Sequence, residues 1–209
     1  MNDLGFIHRF IPAPAGTGSS HTLLMLHGTG GNENDLLDLG HTIDARAAIL
    51  SPRGQVLEKG APRFFRRLGE GVFDEADVVD RSHELAGFIG EAVRHYEIDP
   101  AQLVAVGYSN GANIAAAIVL LGLAEFPKAI FFRAMVPLSN PAPAKAKTER
   151  ILISEGRSDQ IAHPEQGTQL AHSLRQTGAQ VDLIFQTAGH ELIGHDVAAA
   201  QQWLASSRI

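Results

Sequence analysis

Cysteine is absent from this chain of 209 residues. That excludes a disulfide scaffold, a cysteine zinc site, an iron–sulfur cluster and a cysteine nucleophile. Basic residues are the minority charge: 17 Lys and Arg stand against 23 Asp and Glu, for a net charge of −6. Nucleic-acid binding normally needs a basic face that replaces counterions, and no basic stripe is present. The densest basic cluster, Arg63 to Arg67 around Phe64 and Phe65, reads as a solvated loop face, with a small anion site as the alternative. Long apolar runs are missing as well. No stretch reaches the about 18–20 unbroken apolar residues of a membrane-spanning helix. Met1 to Phe10 carries Asp3 and has no basic segment leading into an apolar run, so no secretory signal is read there. The cytoplasm is the expected compartment, although a chain without cysteine can also be secreted after processing.

What is present suits a globular protein. Hydrophobic residues make up 44% of the chain, near the usual globular share. The length predicts one domain over residues 1–209. Short apolar runs at Leu23–Leu26, Ala47–Leu50, Leu103–Val106, Ala129–Val136, Ile151–Ile153 and Val181–Phe185 are bounded by Gly, Pro or polar residues, as buried parallel strands are. Gly5–Ile11 is a weaker candidate for an edge strand. Between them lie helical patterns at Ser82–Tyr96, Asn110–Leu123, Pro164–Gly178 and His195–Ser206. Strands alternating with helices predict an α/β fold with a mostly parallel sheet covered on both faces. Two connections, Ser51–Val79 and Pro137–Thr148, are long enough to be functional loops. Thr17–Ser20 reads as a turn.

Gly107-Tyr108-Ser109-Asn110-Gly111 fits G-x-S-x-G between a predicted strand and a predicted buried helix. Glycines on either side of the serine allow the sharp turn that exposes a nucleophilic hydroxyl. The plain alternative is a serine that merely caps the helix. A serine nucleophile needs a base, and the base needs an orienting acid. Asp159 follows one later strand and His190 follows the last, which gives the chain order Ser109, Asp159, His190 of an α/β-hydrolase. Glu155 in the same loop is the rival acid. Asp182 lies inside a strand and is discounted. His163 and His195 are the rival bases, each expected at a helix entrance. His8, His41, His83, His95 and His172 read as structural. His190 and His195 do not make a zinc pair, because five residues advance about 500° around a helix and leave them about 140° off one face.

The loop His27-Gly28-Thr29-Gly30-Gly31 follows a strand without matching a dinucleotide-binding pattern. A plain glycine turn is one reading; the other is a source of oxyanion donors. Acyl transfer needs two backbone N–H groups aimed at the developing oxyanion. Thr29 and Asn110 are the expected pair, and His27 is expected to be structural. Phe64, Phe65, Tyr108 and the Pro137–Pro143 loop are the expected lining of a substrate pocket. No metal or organic cofactor is implied.

Leu26-His27-Gly28-Thr29-Gly30-Gly31-Asn32-Glu33, Ser51-Pro52-Arg53-Gly54, Phe64-Phe65-Arg66-Arg67, Gly107 to Asn113 and Gly189-His190 together resemble the bacterial phospholipase/carboxylesterase family. That family includes acyl-protein thioesterases, lysophospholipases and esterases linked to hydroquinone resistance. The resemblance spans roughly residues 20–205, and the Tyr108-Ser109-Asn110-Gly111-Ala112-Asn113 form is closest to the hydroquinone-linked branch. It implies a small α/β-hydrolase with little or no cap, a triad of Ser109, Asp159 and His190, and oxyanion donors at Thr29 and Asn110. It also implies a homodimer, since members are often dimeric. The expected activity is that of a serine carboxylesterase acting on a small-molecule ester. An acyl-thioesterase or lysophospholipase with the same triad, and a non-catalytic binding protein on a hydrolase fold, are the alternatives.

Overall fold

The computed structural model describes residues 4–16, 21–141 and 148–206. The Thr17–Ser20 turn, and Pro143, Lys145 and Lys147 of the proline-rich connection, lie outside the described residues. In chain order the elements are β1 (His8–Ile11), β2 (Thr22–Leu26), α1 (Leu37–Ile43), β3 (Ala48–Pro52), β4 (Val56–Glu58), β5 (Ala61–Arg63), β6 (Arg67–Gly69) and β7 (Val72–Phe73). They continue with α2 (Glu75–His95), β8 (Leu103–Tyr108), α3 (Asn110–Leu120), β9 (Lys128–Phe132), β10 (Arg150–Gly156), α4 (Pro164–Gln176), β11 (Gln180–Gln186) and α5 (Gly194–Ser206).

Among the described residues the main sheet has seven strands in the order β1-β3-β2-β8-β9-β10-β11. β1 is the antiparallel edge and the other pairings are parallel. Side chains alternate across it as the two-residue period of a strand requires. Leu24, Ala105, Phe131 and Ile153 pack with α2, α3 and α4 on one face. Leu23, Met25, Val104, Val106, Ile130 and Leu152 pack with Ile43, Trp203 and Leu204 of α1 and α5 on the other. Both faces are therefore dry, which is why these strands read as continuous apolar runs. Every residue of α3 is buried. No helix among the described residues is long and apolar enough to cross a membrane.

Several boundaries differ from the sequence reading. β9 stops at Phe132 and not at Val136, because Arg133 adopts a positive φ of 54°. The next three amides leave the ladder and donate to side chains: Ala134 to Glu155, Met135 to Asn113, and Val136 to Gln166. α2 begins at Glu75, earlier than the Ser82 expected. Its first turns are charged and carry little apolar signal, and Asp74 caps them by accepting from the Asp77 amide. The seven-residue α1 was not foreseen. The Ser51–Val79 connection holds two small antiparallel hairpins, β4–β5 and β6–β7. These fold back over the carboxyl edge of the sheet.

Candidate active site

Six connections meet at that edge, after β2, β3, β8, β9, β10 and β11, where open α/β sheets place their ligands. Ser109 sits between β8 and α3 with φ 52° and ψ −116°. A non-glycine residue in this region is strained, by about 1–3 kcal/mol. The neighbouring glycines are required by close packing. A Cβ on Gly107 would come within 2.5 Å of Ala112 Cα, and one on Gly111 would lie 2.0 Å from the Leu26 carbonyl oxygen. An ordinary capping serine would accept an amide hydrogen from the first turn of α3. Ser109 makes no such bond, and its hydroxyl lies 2.9 Å from His190 Nε2.

His190 Nδ1 lies 2.8 Å from Asp159 Oδ2. The carboxylate fixes the proton on Nδ1 and leaves Nε2 to accept from the Ser109 hydroxyl. Asp159 is buried, and its second oxygen accepts from the Ile161 and Ala162 amides at 2.8 and 2.9 Å. Its orientation is therefore set independently of the histidine. His163 and His195 are exposed at the starts of α4 and α5, away from this chain of bonds.

Glu155, the rival acid, is fully buried on β10 and holds the Ala134 amide with Oε1. Its other oxygen has no protein partner among the described residues. Burial pushes its pKa up to about 9, so at neutral pH it is a neutral carboxylic acid. A Cβ on Gly167 of α4 would lie 2.4 Å from Glu155 Cγ; glycine there makes the room for it. A proton retained up to about 9 in the folded state, against 4.5 in the unfolded chain, stabilises the fold fully below pH 4.5. That contribution is lost as pH rises through 9. Glu155→Gln carries no such charge. Its stability should gain on that of the native protein steadily between pH 5 and 9, with a slope of up to about 1.4 kcal/mol per pH unit. Thermal melts across that range check it, and a gap independent of pH would remove the buried-acid assignment.

The histidine loop is anchored from below by Arg133, which the sequence reading missed. Its guanidinium is fully buried and pairs with Asp196 of α5 at 2.9 and 2.7 Å. The same group donates to the carbonyls of Gly189 and Glu191 at 2.9 and 2.7 Å, one on each side of His190. Tyr108 donates its hydroxyl to the His190 carbonyl at 2.9 Å. Three consecutive carbonyls of the loop are thus held by two side chains. Burial alone would raise the Asp196 pKa, but hydrogen bonds from Arg133, Ser154 and the Ile193 amide hold it below the usual carboxylate value.

On the other side of Ser109 is the Gly28–Gly31 loop. His27 is buried, which lowers its pKa. The neutral ring donates from Nδ1 to the Gly28 carbonyl at 2.7 Å and accepts the Gly54 amide on Nε2 at 2.9 Å. The role is structural, as expected. The amides of Thr29 and Asn110 donate to no protein acceptor among the described residues. Asn110 is the first residue of α3, where an amide has no helical partner in any case.

A cavity of about 240 Å³ opens beside Ser109 and His190 and is lined by Thr29, Tyr108, Asn110, Phe73, Met135 and Ile161, with Arg63 and Arg67. The expected lining is corrected here. Tyr108 lines it, but Phe64 and Phe65 do not. They are 3% and 0% exposed and point into the core, where Phe64 packs on the His27 ring and Phe65 on Phe73. Aromatic side chains next to arginines gain most by burial, and the hairpin turns the arginines outward to the cavity in their place. Among the described residues, no group of three His, Cys, Asp or Glu side chains is arranged to hold a metal.

No protein-family model matches the chain. It is 43% identical over 185 residues to "Putative hydrolase MhqD" of Bacillus subtilis (strain 168), which is 88% of this chain and 92% of that protein. The fold superposes on the crystal structure of the Bacillus cereus carboxylesterase with a TM-score of 0.90 at 39% identity, over 96% of this chain and 94% of that one. A carboxylesterase from Mesorhizobium loti gives a TM-score of 0.89 at 30% identity, over 98% and 97% of the two chains. With identity of this order sustained over nearly its whole length, and a parallel sheet carrying a serine elbow, the chain belongs to the phospholipase/carboxylesterase family of α/β-hydrolases.

Proposed function

We propose that the protein is a serine carboxylesterase in which Ser109 is the nucleophile, His190 the general base and Asp159 the orienting acid. The observation that carries this reading is the unbroken chain Ser109 Oγ–His190 Nε2 at 2.9 Å and His190 Nδ1–Asp159 Oδ2 at 2.8 Å, on a serine whose strained backbone makes no helix cap. Ser109 Oγ attacks the ester carbonyl carbon as His190 Nε2 takes its proton. The carbonyl oxygen becomes an oxyanion held by the Thr29 and Asn110 amides. Asp159 stabilises the imidazolium. His190 then returns the proton to the leaving alcohol, and the C–O bond of the ester breaks to give the acyl-enzyme. Water, activated by the same imidazole, attacks the acyl carbon and releases the carboxylic acid and free Ser109.

The name carboxylesterase, carried by two of the structural relatives, supports an oxygen ester as substrate. The expected homodimer rests on the family resemblance and the expected cytoplasmic setting on the sequence composition; neither enters the chemistry, which calls on no cofactor. Hydrolysis of phenyl acetate and of S-phenyl thioacetate, measured side by side, tests the bond preference. The proposal expects kcat/KM for the oxygen ester to equal or exceed that for the thioester. A thioester preference of about a hundredfold or more, equivalent to about 2.7 kcal/mol, would reassign the enzyme as a thioesterase.

A further inference from the structure

The cavity beside Ser109 has an unusual electrostatic character for a chain of net charge −6. Two arginines line it, Arg63 and Arg67, and no carboxylate does. Arg63 is 3% exposed, at the end of β5, where it was expected to lie on a solvated loop. Its Nε donates to the Phe65 carbonyl and its Nη1 to Glu58, which leaves Nη2 without a protein acceptor among the described residues. Arg67 donates to the same Glu58 carboxylate through Nε and Nη2, which leaves its Nη1. Two guanidinium charges against one carboxylate leave one net positive charge. A buried, incompletely paired arginine is costly unless something completes it. A guanidinium fork matches a carboxylate in shape, and the single surplus charge matches its single negative charge better than a phosphate dianion.

The position of this pair relative to the reacting centre is fixed by the fold. The Phe64 amide, next to Arg63, donates to Asn110 Oδ1 at 2.7 Å. The Gly30 amide, next to Thr29, donates to the Pro62 carbonyl at 2.9 Å. One hairpin is therefore tied to both expected oxyanion donors. The cavity, at about 240 Å³, falls below the about 300–1,000 Å³ of pockets for drug-sized ligands, so the group it takes is small.

We propose that Arg63 and Arg67 form a subsite for a carboxylate on the substrate, making this an esterase for small esters that carry a free acid group. The inference rests on the esterase reading for its catalytic half. Two pairs of isosteric esters test it: methyl hydrogen glutarate against its carboxamide, and 4-acetoxybenzoate against 4-acetoxybenzamide. They put the charge on the acyl side and on the alcohol side respectively. In at least one pair kcat/KM for the carboxylate should exceed that for the amide by about tenfold or more, as a charge-assisted hydrogen bond supplies. That ratio should fall towards one in Arg67→Gln. Arg67 is the residue to change because its side chain is 34% exposed and the fold tolerates its loss better than that of buried Arg63. Ratios below about threefold in both pairs, or a ratio unmoved by Arg67→Gln, would overturn the subsite.

Calorimetric binding of methyl hydrogen glutarate to the Ser109→Ala protein separates the two proposals. Binding that weakens about tenfold in Ser109→Ala/Arg67→Gln, with no turnover of any ester by the native protein, keeps the subsite and removes the esterase. Turnover of the amides without a carboxylate preference does the reverse.

Discussion

Ser109→Ala should lower kcat for ester hydrolysis by about a million-fold, and His190→Ala should cost about as much. The reason is that the two side chains act as one unit. Without His190 the Ser109 hydroxyl keeps its proton, and without Ser109 the imidazole has no nucleophile to activate. The double variant should therefore be no slower than either single one. Additive losses would mean that the two residues act independently and that the 2.9 Å bond between them is incidental. Asp159→Asn should cost about ten-thousand-fold. An asparagine can keep its oxygen on the Ile161 and Ala162 amides, but it turns an NH2 group towards His190 and so favours the wrong tautomer. All three variants should melt close to the native protein, because none of these side chains holds the core.

Arg133→Met should have the opposite profile, with a loss of stability of about 3–5 kcal/mol. The variant strands the fully buried Asp196 carboxylate and releases the Gly189 and Glu191 carbonyls. Against a total stability of about 5–15 kcal/mol for a domain this is a large fraction. Arg133→Lys keeps a charge but cannot bond Asp196 and both carbonyls at once, so it should fall between. Whatever folds should hydrolyse esters more slowly, because the loop that aims His190 has lost two of its three ties. The pH dependence should change sign. In the native protein Asp196 has a lowered pKa; its contribution is present above 3.8 and lost as pH falls through the folded value. In Arg133→Met only the Ser154 hydroxyl and the Ile193 amide still oppose burial, the pKa rises, and the variant should be most stable in acid. Replacing the pair with Arg133→Met and Asp196→Leu together should recover most of the loss. Urea melts at pH 4 and pH 8 measure all of this, and a single variant within about 1 kcal/mol of the native protein would contradict it.

Much of this arrangement is legible in the chain because it is local. Leu103 to Val106 is a dry strand, Gly107 and Gly111 flank the serine where a Cβ cannot fit, and Asp159 and His190 each follow a strand at the same edge. Strand runs are readable when both faces are buried, since no polar alternation interrupts them. What was missed is long-range or carried by few residues. Arg133 lies inside the apolar run Ala129–Val136 and gives no sign that its partner is Asp196, 63 positions later. The end of β9 depends on the positive φ at Arg133, which no residue preference announces. At Arg63 to Arg67 both side-chain types were seen and their directions were reversed. The phenylalanines go inward and Arg63 and Arg67 line the cavity, because the β4–β5 and β6–β7 pairings set the outcome and composition does not.

The most direct test of the central proposal is peptide mapping by mass spectrometry after incubation with a fluorophosphonate, which phosphonylates only an activated serine. One adduct per chain is expected, on the peptide that contains Ser109, and none should form in Ser109→Ala or, at the same concentration and time, in His190→Ala. An adduct on another serine, or continued ester hydrolysis by a protein whose Ser109 has been replaced, would contradict the account.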